Sequence, residues 1–182
     1  MSSIEILKTR NRAFAESFSH RDMPALPKLG TLILTCIDAR VDPAHVLGLE
    51  LGDAVVFRNN GGRVTQAFID EVSALAALVA RMTGVEEAGF DIVLMEHTKC
   101  GAQAFADPEF RAQLKERIDV DVSGSAIANQ EDTLLADIVR LRDAPHLPGT
   151  VTVAAMLYDV ESGSVREVAQ ARALAELRKE SA

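Results

Sequence analysis

Apolar positions along the chain follow two periods, and the changes between them outline the elements. Ile4, Leu7, Phe14 and Phe18 recur on roughly one side of a stretch over 4–19 and predict a helix there. Residues 21–30 form a connector broken by Pro24 and Pro27. The run Thr31-Leu32-Ile33-Leu34-Thr35-Cys36 is continuous, of strand length and rich in β-branched residues, the pattern of a parallel strand buried on both faces. Asp42-Pro43 offers an N-cap and a first-turn proline. A short helix is expected over 46–51, ended near Gly52. A second strand covers 54–57 and runs into Arg58-Asn59-Asn60-Gly61-Gly62, whose glycines permit a tight turn.

Residues 66–83 predict a long helix stopped by Gly84. Phe68, Ile69, Val72, Leu75, Leu78, Val79 and Met82 give it an apolar face that several alanines widen, so it packs on the sheet, on a partner subunit or on both. A third strand covers 91–95, a helix 131–142 and a fourth strand 150–157. Ser162-Gly163 marks a turn that brings 165–168 back as an edge strand, and 169–179 reads as a charged, Ala-rich terminal helix. Alternating strands and helices predict an α/β fold: a mainly parallel central sheet flanked by helices, with an edge strand from a C-terminal hairpin. One domain over 1–182 is expected, with a helical arm over 1–20 and a C-terminal helix over 169–182.

Composition narrows the class. With 27 acidic against 19 basic residues the net charge is −8, which argues against binding a nucleic-acid backbone. Residues 1–5 lack the apolar stretch of a secretory signal, and charges interrupt any would-be membrane span. A soluble, cytoplasmic protein with no membrane partner is expected. Only Cys36 and Cys100 are present, too few for a disulfide scaffold, and their plainest reading is as small buried hydrophobes. Their position shifts that reading. Each follows an apolar run, at the carboxyl end of a predicted strand, where ligands gather in such sheets.

Three segments carry candidate chemistry. In Cys36-Ile37-Asp38-Ala39-Arg40, continued strand geometry would point thiolate, carboxylate and guanidinium the same way. The plainer alternative is a surface Asp38–Arg40 ion pair beside a core cysteine. In His97-Thr98-Lys99-Cys100-Gly101, an imidazole and a thiol three positions apart can reach one ion from a turn. With Cys36 they make the three protein ligands a catalytic zinc needs, one position staying open. A helix starting at Cys100 would favour its thiolate. A structural zinc completed by Asp38, or a redox-sensing thiol pair, is the non-enzymatic reading of the same residues. The glycine turn over 58–62 lacks the Gly-Lys-Ser/Thr of a phosphate loop and reads as a tight turn near the site. His20, His45 and His146 read as surface histidines.

Taken together, Cys36-Ile37-Asp38-Ala39-Arg40, the segment Gly52 to Gly62, His97-Thr98-Lys99-Cys100-Gly101, and Tyr158-Asp159-Val160 followed by Gly163 resemble the β-carbonic anhydrase family. The resemblance runs from about residue 32 to 168. It implies Zn2+ on Cys36, His97 and Cys100, and an Asp38–Arg40 dyad beside it. Arg40 would keep Asp38 ionised, and Asp38 would orient the reactive oxygen. It implies hydration of CO2 to bicarbonate by a zinc-bound hydroxide, and an obligate homodimer, often assembled further, whose interface forms part of the cleft. Relatives on the same scaffold hydrolyse carbonyl sulfide or carbon disulfide, which is the alternative substrate class. In some members the aspartate instead occupies the open zinc position. The glutamine that plant-type members carry near the first strand is replaced here by Pro27, so no substrate contact is transferred to it.

Overall fold

The computed structural model describes residues 2–181. Its centre is a five-stranded sheet in the order β2-β1-β3-β4-β5. Strands β1 (Thr31–Cys36), β2 (Ala54–Asn59), β3 (Asp91–His97) and β4 (Thr152–Tyr158) are parallel, and β5 (Val165–Ala173) runs antiparallel at the β4 edge. The expected architecture is therefore present. β1 sits between two neighbours, and five of its six residues are buried, which is why its sequence shows no polar alternation.

Two layers cover the sheet unequally. On one face Leu32, Leu34, Ile92, Leu94 and Val153 pack with Val72, Leu134, Leu141 and Leu174 in the main core. The helical contributors are α3 (Gln66–Thr83), α5 (Gln130–Asp143) and α6 (Leu174–Glu180). On the other face a smaller cluster joins Ile33, Val41 and Met95 to Val46, Leu47 and Tyr158. Thr65 caps α3 by accepting from Phe68 N, and Gly84 ends it in the left-handed conformation (φ 73°). Helix α1 (Ser3–Glu16) has no buried residue, although it carries the foreseen apolar stripe. No described helix is long and apolar enough to cross a membrane.

Three expectations need correction. The short helix lies earlier than 46–51: α2 spans Pro43–Val46, because Asp42 accepts from Ala44 N at its start and Gly48 (φ 66°) turns the chain just beyond Leu47. The terminal helix does not begin at 169. Residues 169–173 continue β5, pairing Ala169 with Ala155 and Ala173 with Thr152, and only then does α6 start. Helix propensity in an Ala-rich segment is weak beside an available sheet edge. A further helix, α4 (Pro108–Ile118), arises where the apolar pattern gives none; none of its residues is fully buried, and it starts on the Asp107 cap and the first-turn Pro108.

Candidate metal centre

The site forms where the chain leaves the two central strands. Cys36 is the last residue of β1 and His97 the last of β3, and the adjacent parallel pairing carries both to the same end of the sheet. Cys100 follows one turn later, ahead of a short 3-10 turn over Gly101–Ala106. All three are buried, and their ligand atoms lie within 4.8 Å of one another. The two sulfurs are 3.7 Å apart. Two thiolates bound at about 2.3 Å to one tetrahedral zinc would stand about 3.8 Å apart, so the spacing fits that ion.

The imidazole is oriented by its other nitrogen. His97 Nδ1 lies 3.0 Å from the Thr98 carbonyl oxygen, which can only accept, so the proton sits on Nδ1 and Nε2 presents its lone pair. Among the described residues, Nε2 is one of three buried side-chain polar atoms without a partner, the others being the Glu96 carboxyl oxygens. A buried acceptor left unpaired is costly unless something occupies it. The two thiols touch and share one hydrogen bond. Contact with Cys100 draws the Cys36 thiol down to about 4 against the opposing effect of burial, helped by His97 and the backbone N–H groups of Asp38 and Gly61. The same contact, and then burial, pushes the Cys100 thiol up. The pair gives up one proton readily and holds the second, which a dication would release.

A glycine turn makes this packing possible. Gly62 has a φ of 67°, and a Cβ there would stand 2.8 Å from the Cys36 backbone nitrogen. Asn59 closes the turn from both sides: its Nδ2 donates to Arg63 O and its Oδ1 accepts from Arg63 N, each at 2.8 Å. This is the tight turn near the site that the sequence suggested.

Asp38 and Arg40 do meet at the rim, by a different route from the one expected. β1 ends at Cys36, and residues 37–40 leave the strand. What joins the pair is local hydrogen bonding. Asp38 Oδ1 accepts from Arg40 N and Nε at 2.9 Å, and Oδ2 accepts from Arg40 NH2 at 2.6 Å. Arg40 therefore holds the Asp38 carboxyl well below the usual carboxylate range. Asp38 Oδ2 lies 3.9 Å from His97 Nε2, beside the ligand cluster but turned toward the guanidinium. Arg58 braces the same segment, donating from Nε to Cys36 O at 3.0 Å and from NH2 to Asp38 O at 2.7 Å.

Beneath the site lies a polar group that spacing alone does not reveal. Arg63 donates from Nε and NH2 to Asp137 of α5 at 2.8 and 3.0 Å, and also to Ala126 O. Asp137 additionally accepts from Val64 N at 2.9 Å. Glu96 lies against this pair with Arg63 Nε at 4.0 Å, and burial pushes its carboxyl up to about 9. A charged residue closing an apolar strand run was a visible signal at Glu96; Arg63 and Asp137 gave none. His20, His45 and His146 are exposed, as expected.

Among the described residues, the cluster that could hold a metal ion is two cysteines and a histidine, with no fourth such ligand grouped with them, a donor set that would leave one position of a tetrahedral ion open. Residues 31–133 match the family model described as carbonic anhydrase. The chain belongs to the carbonic anhydrase family. A solved carbonic anhydrase from Streptococcus mutans is 35% identical, with a TM-score of 0.74, covering 92% of this chain and 98% of that one. Beta-carbonic anhydrase 1 of Mycobacterium tuberculosis is 28% identical over 148 residues, 80% of this chain and 86% of the relative. A carbon disulfide hydrolase of Saccharolobus solfataricus is 27% identical over 179 residues, 84% of each chain. Within the family, the β-class resemblance and the mainly parallel α/β fold expected from sequence both stand.

Proposed function

We propose that this chain is a zinc-dependent carbonic anhydrase that hydrates CO2 to bicarbonate, with Cys36, His97 and Cys100 as the metal ligands. The observation that carries this reading is the buried, mutually adjacent trio of ligand atoms, including an imidazole nitrogen with no other partner. Zinc, when bound, supplies the Lewis acidity that makes a neighbouring water acidic near neutral pH. Two thiolates and a neutral imidazole balance its charge, so activity should rise toward alkaline pH.

The remaining roles belong to the chain. Asp38, kept ionised by Arg40, only accepts hydrogen bonds, so it orients the attacking oxygen rather than storing the proton that hydration releases. That proton leaves to solvent as CO2 and water become bicarbonate. Arg40 fixes Asp38 through the forked geometry that suits a carboxylate and turns it away from the ligand cluster. Arg58 holds the backbone at Cys36 and Asp38, keeping ligand and dyad in register.

A homodimer or higher assembly fits the surface. Helix α1 exposes Ile4, Leu7 and Phe14, and α3 exposes Leu78 and Met82, more apolar area than one subunit covers. Free thiols that must stay reduced to bind metal fit a cytoplasmic setting. The relatives named carbon disulfide hydrolase support CS2, with the chemically similar COS, as a second substrate reading.

Zinc content and stopped-flow CO2 hydration test the proposal, run beside COS and CS2 turnover. Cys36→Ser should lose both zinc and activity. Full activity in a metal-free preparation, or a pH–rate profile already at its plateau by about pH 6.5, would count against it.

A further inference from the structure

We propose that Asp159, at the tip of the β4–β5 hairpin, is a positioning residue for the metal centre: through the Thr98 hydroxyl it fixes the turn that aims His97 Nε2 and Cys100 Sγ at one point. The inference rests on the metal-binding reading above.

The turn between the ligands has little hold of its own. Lys99 occupies the left-handed region with φ 54°, a conformation a lysine adopts at a cost. It persists because it is clamped on two sides. On one side Arg40 NH2 donates to Lys99 O at 3.1 Å. On the other side stands the hairpin. Thr98 N donates to Tyr158 O at 2.9 Å, extending the β3–β4 ladder by one residue. Thr98 Oγ1 donates to Asp159 Oδ1 and accepts from Val160 N, both at 3.1 Å. Lys99 Nζ reaches Glu161 Oε1 at 2.5 Å.

Asp159 is itself immobilised. Its Oδ1 also accepts from Glu161 N at 2.9 Å, its Oδ2 accepts from Ser162 Oγ at 3.0 Å, and its own N donates to Ser164 O at 2.8 Å. The hairpin tip is therefore held chiefly by its own bonds, with Thr98 Oγ1 adding the one to Val160 N. The ligand turn, with fewer bonds of its own, depends more on the hairpin than the hairpin on it. Thr98 supplies the carbonyl that receives His97 Nδ1, so any rotation of the Thr98 peptide turns the imidazole. It is also two residues from Cys100, across the strained Lys99. One hydroxyl thus ties both ligands of the turn to a fixed carboxylate on a neighbouring element.

The test uses full-length protein. Zinc affinity is measured by chelator competition, ligand geometry by the absorption bands of the Co2+-loaded form, and folding by thermal melting of the metal-free form. Thr98→Val should weaken zinc binding about tenfold and shift the cobalt–thiolate bands, with melting unchanged. Asp159→Ala should do the same, and the double variant should be no weaker than the weaker single one, since both break one path. Asp159→Asn keeps an acceptor for Thr98 and should restore affinity to within roughly threefold of the parent. Parental affinity and cobalt bands in Thr98→Val, or losses that multiply in the double variant, would overturn the proposal. If Asp159→Ala fails to fold, Thr98→Val decides. A parent chain that binds no zinc would instead defeat the metal reading itself.

Discussion

Two aspartate–arginine pairs flank the backbone around Cys36, one just beyond it in the chain and one behind the glycine turn packed on it, and they differ in build. Asp38 and Arg40 are two residues apart, at the rim, with the Arg40 side chain about half exposed. Arg63 and Asp137 are 74 residues apart, and both side chains are under one-tenth exposed. In the first pair, water shares the solvation of the charges, so the pair is cheap to keep. In the second, each charge depends on the other, and the pair ties the glycine turn beside Cys36 to helix α5. On the proposed function the first pair serves the chemistry, and the second holds the floor beneath it in position. The same residue types cannot be assigned a role until burial is known.

Asp137→Ala should give the largest effect. It strands a buried guanidinium, and chemical denaturation should show a loss of about 3–5 kcal/mol in unfolding free energy. A variant as stable as the parent would erase the contrast. Asp38→Ala should do the reverse: turnover falls by at least about 100-fold, while zinc content and melting temperature stay at parental values.

Glu96 sharpens the comparison through pH. Its folded carboxyl titrates at about 9 against an ordinary 4.5, so between those values the folded state keeps a proton that the unfolded state has lost. Stability of the metal-free protein should therefore fall as pH rises through that window and level off above it. Glu96→Gln should flatten that part of the curve, read by melting at a series of pH values. An unchanged slope would mean that another group carries it. The smallest effect belongs to the exposed Lys99–Glu161 pair: Glu161→Gln should alter unfolding free energy by less than about 0.5 kcal/mol.

What could be read from sequence follows the same division between local and distant partners. The strand at 31–36 and the helix at 66–83 were legible because their own residues set them: an unbroken β-branched run in one, a broad apolar face with cap and glycine stop in the other. The segment 169–173 misled because its alanines favour a helix, whereas its fate is decided by the free edge of β4, 14 or more residues earlier in register at Ala169↔Ala155. At the site, the three candidate ligands were legible from their placement after apolar runs, and the fold brings them together. The Asp38–Arg40 contact was foreseen, although its cause is a hydrogen-bonded turn and not strand alternation. Arg63 and Asp137 sit in sequence like any surface charges, and only packing makes them partners. Asp159 was visible as part of a hairpin motif, but its tie to Thr98 spans 61 residues.

The separation of Cys36 from Cys100 by 64 positions has a consequence for how the protein is made. A chain emerging from the ribosome offers first a lone thiol, and much later an imidazole with a second thiol. Neither fragment can grip a cation firmly until β1 and β3 have zipped together. On the proposed zinc reading, metal capture is thus expected late in biogenesis, as a seal on a finished sheet and not as the seed around which it grows.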